Sequence, residues 1–119
     1  MPINSFRDLI AWQKAMDLCD HIYDLTESFP KEEVFGLRSQ LRRCAVSIPS
    51  NIAEGHARHS TRDFIHFLRV ARGSLAEAES QLMLCGRRKY LSNGALEKTL
   101  KESDELGRVL AGLISSLSD

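Results

Sequence analysis

Three kinds of chemistry can be asked of this 119-residue chain, and their candidate residues crowd into or around residues 39–60, SQLRRCAVSIPSNIAEGHARHS. Metal ligation would draw on His56, His59 and His66 with Glu54 beside them. Metal sites in helical bundles take ligands that project inward from facing helices, in patterns such as Glu-x-x-His, whereas these residues surround a turn and sit among arginines. No metal site is expected. Nucleophilic chemistry would draw on Ser47, Ser50 or Cys44. The chain has no GxSxG, and no histidine and acid stand in a supporting motif, so no catalytic residue and no cofactor are expected. Arg42 and Arg43 just before Cys44 would favour its thiolate, while an apolar environment would oppose it. Anion binding would draw on Arg38, Arg42, Arg69 and Arg72, which recur at turn spacing and could build a basic ridge for phosphates. No aromatic side chains interleave with them, so a stacking platform for single-stranded nucleic acid is not evident. Salt bridges to Glu77, Glu79 or another subunit account for the same arginines.

Ser47, Ser50, Asn51 and Glu54 fall at i, i+3, i+4 and i+7, so on a helix they form one polar stripe beside Ile48 and Ile52. Pro49 lies in that helix and deletes a backbone donor opposite the carbonyl of Ala45, which predicts a kink. The stripe then has two readings. It satisfies the backbone opened by Pro49 and bonds to neighbours such as Arg58 or Ser74, or it lines a groove or subunit contact. The structural reading is adopted, with Gly55 weakening the helix end.

The elements that must position these residues are four helices in a single domain covering residues 1–119, at about 6–28, 32–57, 61–87 and 93–117. Ser5 with Asp8 resembles a capping box, and Leu9, Trp12, Met16, Cys19, Tyr23 and Thr26 are expected to face inward. Phe29-Pro30 ends this helix. The second presents Leu37, Leu41, Cys44, Ile48 and Ile52. Ser60 caps the third, with Asp63 as its partner, and Phe64, Phe67, Ala71, Leu75, Ala78, Leu82 and Cys85 follow at heptad-like spacing. Gly73 inside it costs about 1 kcal/mol against alanine, so either a close helix approach or local weakness is expected there. Gly86 and Arg87-Arg88-Lys89 end it. The fourth shows Leu96, Leu100, Ser103, Leu106, Leu110, Leu113 and Leu117. Short connections between such helices favour an all-α, up-down-up-down antiparallel four-helix bundle with its second helix kinked at Pro49.

Composition agrees, with 43% hydrophobic and 27% charged residues. No apolar run approaches the roughly 20 residues of a membrane span, and no signal peptide is legible, so a cytoplasmic protein is expected. Cys19, Cys44 and Cys85 fit neither a disulfide framework nor a CxxC pair and read as small core residues. His21, next to Asp20, reads as a solvated helix residue. The net charge is zero, yet residues 31–89 hold eleven basic against six acidic side chains. Such asymmetry marks an anionic partner, or basic central helices facing acidic terminal ones in a neighbouring subunit.

Three runs also resemble a known family: WQKAMDLCDHIYDLT with FPKEE, GLRSQLRRCAVSIPSNIAEGHAR, and FIHFLRVARGSLAEAESQL. They are similar to the four-helix-bundle proteins named after open reading frames in intervening sequences of some bacterial 23S rRNA genes. SIPSNIAEG is the most specific part. The resemblance implies a ring-shaped homopentamer without established enzymatic activity. A related branch, the accessory proteins of diversity-generating retroelements, is a basic pentamer working with a reverse transcriptase and its RNA; this chain departs from it in being neutral overall. The family's characteristic positions carry over to Ser47, Pro49, Asn51, Glu54, Gly55 and Arg58, and to Gly73, Ser74 and Glu77, the last three residues on from Ser74. The expected function is a non-enzymatic homo-oligomeric scaffold or adaptor. The alternative is an accessory protein binding nucleic acid, or partnering a nucleic-acid enzyme, through Arg38, Arg42, Arg69 and Arg72 repeated around the ring. No membrane partner and no small-molecule substrate is expected.

Overall fold

The computed structural model describes residues 5–118. The Ser5 hydroxyl accepts the Arg7 N–H at 3.1 Å, and one turn of 3-10 helix, Phe6–Asp8, follows it. Leu9 then returns to extended backbone before α1, Ile10–Thr26. The single helix expected over 6–28 is therefore divided near its start and two residues shorter at its end. The break has a packing reason. It drops Leu9 into the core and folds Phe6 edge-on against Trp12, with ring centroids 5.3 Å apart.

A second 3-10 turn, Lys31–Glu33, precedes α2, Leu37–Ala57, which starts later than residue 32. Glu33 explains the delay: one carboxylate oxygen accepts the Leu37 N–H at 2.9 Å and the other accepts the Tyr90 hydroxyl at 2.9 Å. The turn before α2 thus supplies its cap and ties it to the α3–α4 connection. These hydrogen bonds hold the Glu33 carboxyl below its ordinary range.

α3, Thr61–Arg87, and α4, Asn93–Leu117, occupy the expected spans. The Ser60 and Ser92 hydroxyls accept the N–H groups of Asp63 (3.3 Å) and Ala95 (3.1 Å), capping both N-termini. The end of α3 differs from expectation. Gly86 stays helical, and Lys89 takes the left-handed conformation (φ 63°), with Tyr90 N–H bonding to Cys85 O and Lys89 N–H to Gly86 O. That is a Schellman termination with lysine where glycine is usual. Gly86 is needed for packing instead, because a Cβ there would lie 2.6 Å from Leu96 Cδ2.

Each helix packs on its neighbours around a square, α1 on α2 and α4, and α3 on α2 and α4, with no Cα atoms within 8 Å across the diagonals among the described residues. Cross-helix pairs give the directions. Cys44 meets Ser74 while Gly55 meets Phe64 and Phe67, and Leu75 meets Gly107 while Gly86 meets Leu96. Lys14 pairs with Glu105, and His21 with Glu102. Numbers rise on one helix as they fall on the next, so the bundle is antiparallel, measuring 45 × 24 × 19 Å.

The core is built from Leu18, Ile22, Leu41, Ile48, Ile52, Leu68, Leu82, Leu106 and Leu110, interleaved with Ala11, Ala15, Ala45, Ala71 and Ala78. The expected inward stripe of α1 is displaced. Ala11, Ala15, Leu18, Ile22 and Thr26 are buried, whereas Met16 and Tyr23 are about 40% exposed (38% and 41%) and Trp12 and Cys19 only half-buried. α1 carries two apolar stripes, and the bundle covers the one with small residues because it allows closer helix approach.

α2 continues as helix through buried Pro49, which interrupts the hydrogen-bond ladder at Ala45 without ending the helix. Gly55 is no weak point: it is buried, and an added Cβ would sit 2.7 Å from Phe67 Cβ, an atom fixed to the backbone. At Gly73 a Cβ would meet nothing within 4 Å, so no helix of this chain approaches it. Gly55→Ala is expected to lower unfolding stability by about 1–3 kcal/mol through overpacking, and Gly73→Ala to raise it by about 0.5–1 kcal/mol. Urea unfolding of both variants checks the pair; a neutral Gly55→Ala would contradict the close approach.

Candidate functional site

Along the α2/α3 side, the register places Ser47, Asn51, Glu54 and Arg58 of α2 beside Phe67, Ser74 and Glu77 of α3. Ser47, Asn51 and Ser74 are half-buried, while Ser50, Glu54, Arg58 and Glu77 are exposed. The face is therefore partly polar surface and partly internal bonding.

Its inner polar groups serve the helices that carry them. The Ser47 hydroxyl donates to Cys44 O at 2.6 Å, and Asn51 Nδ2 donates to Ser47 O at 2.7 Å, on either side of Pro49. Arg58 Nη2 donates to Glu54 Oε2 at 2.8 Å, one turn back, and its guanidinium lies 5.1 Å from the Phe67 ring centre. The exposed ion pair stays within the end of α2, and the cation–π contact joins that end to α3 modestly. The Cys44 thiol donates to Ser74 O at 2.9 Å, directly bridging the helices.

Between them runs an open groove of about 430 Å³ lined by Gln40, Arg43, Cys44, Ser47 and Glu77. Gln40 and Arg43 extend the polar stripe toward the start of α2, at i−7 and i−4 from Ser47. That spacing was available to sequence reasoning, which read Arg43 only for its effect on Cys44. Gln81 continues the α3 side: its Nε2 donates to Glu77 Oε2 at 3.3 Å, while its buried Oε1 finds no hydrogen-bond partner among the described residues.

The groove is not equipped for nucleophilic chemistry. Burial, and secondarily the negative Glu77, push the Cys44 thiol up to about 11, so thiolate is scarce at neutral pH. Burial and Glu33 raise Cys85 equally to about 11, and burial with Asp20 raises Cys19. All three cysteines are free.

The histidines separate. His56 stands edge-on to Phe64 (5.7 Å) and near His59 (6.5 Å), whereas His66 packs on Phe67 (5.3 Å). Among the described residues, no group of three or more His, Cys, Asp or Glu side chains is placed to hold a metal ion. His21 is not the solvated residue expected: it is half-buried, with Nδ1 2.8 Å from Glu102 Oε1 on α4.

The four arginines form two pairs on opposite sides of the bundle. Arg42 faces α1, donating Nε to Thr26 Oγ1 (2.7 Å) and Nη2 to Tyr23 O (3.0 Å) and Glu27 Oε2 (3.1 Å), and stacking over the Tyr23 ring at 4.4 Å. Arg38 reaches the same Glu27 at 3.7 Å. Arg69 and Arg72 instead line grooves shared with α4. Spacing along one helix cannot say which neighbour it faces, and the single ridge is not assembled within the chain.

A family model described as 23S rRNA-intervening sequence protein matches residues 7–112. Among solved structures, the fold is similar to a protein of unknown function from the S23 ribosomal protein family of Bacteroides thetaiotaomicron VPI-5482. The two are 25% identical, the alignment covers 89% of this chain and 96% of that one, and the TM-score is 0.81. No curated protein matches the chain. The buried, protonated thiols make a direct prediction. At pH 8 the folded protein should leave Cys44 and Cys85 unalkylated by iodoacetamide while the urea-unfolded chain reacts fully, as read by peptide mass spectrometry; rapid labelling of native Cys44 would restore it as a nucleophile.

Proposed function

This chain belongs to the 23S rRNA-intervening sequence protein family, and from that premise we propose that it acts as a homo-oligomeric helical scaffold or adaptor without enzymatic activity. Neither the family match nor the structural likeness carries the name of an enzyme. A ring of five is the assembly adopted here, following the family resemblance. One observation of this chain carries the oligomeric reading: the second apolar stripe of α1, with Trp12, Met16, Cys19 and Tyr23 along it, is left incompletely covered. Val46, one turn on from the Arg42 that faces α1, adds a 40%-exposed apolar side chain to the same side. A contiguous apolar face of this kind on a small domain marks a contact surface. The reading includes a cytoplasmic location, which the three free cysteines support.

The assembly is tested by light scattering coupled to size exclusion. The wild type should have at least five times the 13.4 kDa of one chain, and ten times if two rings pair. Met16→Glu with Val46→Glu should reduce that mass while leaving helical circular dichroism intact, because both side chains already face outward. A monomeric wild type, or a double variant of unchanged mass, would reject this contact face.

A second reading, nucleic-acid binding, is favoured by one feature. Arg62 and Arg69 line an open groove of about 520 Å³ with His66 and the end of α4, and neither arginine pairs with an acid among the described residues. Repeated around a ring, these cations would add to a local field for phosphates, with Arg72 further along α3. Fluorescence anisotropy with a labelled RNA should show binding that weakens steeply with salt and is lost in Arg62→Glu/Arg69→Glu. Absence of binding at low salt removes this reading and leaves the scaffold.

A further inference from the structure

The side of the bundle between α3 and α4 holds an open groove of about 350 Å³ whose chemistry is sorted along its length. Leu75 packs on Gly107, which fixes the local register of the two antiparallel helices. Arg72 lies three residues before Leu75, and Arg108 one residue after Gly107, so both arginines stand toward the same end. Glu79 lies four residues after Leu75, and Asp104 three before Gly107, so both carboxylates stand toward the other end. At 1.5 Å per residue, the charged ends are separated by roughly 10 Å along α3.

The space between them is shaped for close approach. Ala76, Gly107 and Ala111 line it, and none carries a side chain beyond Cβ. None of the four charged side chains forms an ion pair or hydrogen bond among the described residues, although Arg108 is near enough to Glu105 to act on its carboxyl. Ser103 also lines the groove, and its fully buried hydroxyl has no hydrogen-bond partner among the described residues. Buried polar groups are rarely left so.

We infer that this groove pairs with the same groove of a second copy of the chain about a two-fold axis, Arg72 and Arg108 of one copy facing Glu79 and Asp104 of the other. A two-fold axis lying in the contact plane and perpendicular to the helices exchanges the cationic and anionic ends, so the pattern is its own complement, the requirement for an isologous contact. A simple anion would use only the arginine end and leave the carboxylates facing it. The small residues let the two α3/α4 surfaces approach, which removes water from the charge pairs and strengthens them beyond isolated surface pairs. The contact does not depend on the apolar side of α1 and α2. It would join two chains, or two rings if each chain also sits in a ring, and in both cases the two-fold contact doubles the mass.

Two charge variants of the full chain test it. Arg72→Glu/Arg108→Glu makes the groove wholly acidic, and Glu79→Arg/Asp104→Arg makes it wholly basic. Like-charge juxtaposition across an interface opposes association, so each variant alone should sediment at half the wild-type mass with unchanged circular dichroism. An equimolar mixture should recover the wild-type mass, and about 1 M salt should weaken that recovery. A variant that keeps the wild-type mass, or a mixture that stays at half of it, overturns the pairing. The four-fold exchange carrying all of these substitutions restores self-complementarity in reverse. It should pair with itself but not with the wild type in native mass spectrometry, and free exchange with the wild type would equally overturn the contact. Loss of mass in Met16→Glu/Val46→Glu with none in the groove variants would leave the scaffold reading standing and remove this one.

Discussion

The architecture depends on the close approach of α2 and α3 at Gly55. Where α2 ends, its backbone lies against Phe64 and Phe67 with no room for a Cβ. The chain then reverses within three residues, through Arg58, His59 in the left-handed conformation, and the Ser60 cap. With the hairpin closed so tightly, the register of the helices is set along their length. Cys44 consequently reaches Ser74, and Ile48 and Ile52 enter the core with Leu68, Ala71 and Leu75. A larger residue at position 55 would separate the helices at the pivot and shift every pairing above it.

A square of four helices has four sides, and this chain gives each a different chemistry. The α1/α4 side is closed by the Lys14–Glu105 ion pair and the hydrogen bond between His21 and Glu102. The α1/α2 side is apolar and incompletely covered. The α2/α3 side is polar and carries most of the residues that identify the family. The α3/α4 side lines its groove with charges sorted by sign that form no ion pair among the described residues. Net neutrality conceals this, because opposite charges that cancel in the total occupy separate places in the fold. Whole-chain charge is accordingly a poor guide to partners for a bundle of this kind.

Much of the fold could be read from residue spacing because helix starts and heptad seams are local signals. Ser60 caps α3 where its residue type and spacing place it, and the seam of α3 from Ala71 to Cys85 is buried as its spacing demands. The phase of α1 could not be read. Trp12, Met16 and Tyr23 look like core residues by size, and nothing local reveals that the narrower Ala11–Ala15–Leu18 stripe fits between the neighbours. Leu9 is similar: its apolar character is plain, but the extended backbone that delivers it to the core depends on where Phe6 and Trp12 pack. The arginines failed for another reason. Turn spacing places Arg38 with Arg42 and Arg69 with Arg72, but the bundle then turns one pair toward α1 and the other toward α4.

The residues of the SIPSNIAEG run divide by what the structure already asks of them. Pro49 removes a donor from the middle of α2, and a helix so interrupted gains from alternative hydrogen bonds nearby. Ser47 and Asn51 donate on either side of the proline, to the carbonyls of Cys44 and Ser47 at 2.6 and 2.7 Å and not to the Ala45 carbonyl that Pro49 leaves without its helical donor. Gly55 is taken up by the approach of α3. These residues are accounted for inside one chain, so their presence says nothing about a partner. Ser50 and Glu54 are different. Both are exposed, Ser50 makes no bond among the described residues, and Glu54 pairs only with the equally exposed Arg58. An ion pair one turn apart on a solvated helix contributes about 0.3–0.5 kcal/mol, too little to explain these residues as supports of the fold. Any contact made by this part of the α2/α3 side must therefore begin at Ser50, Glu54 and Arg58, not at the buried half of the motif.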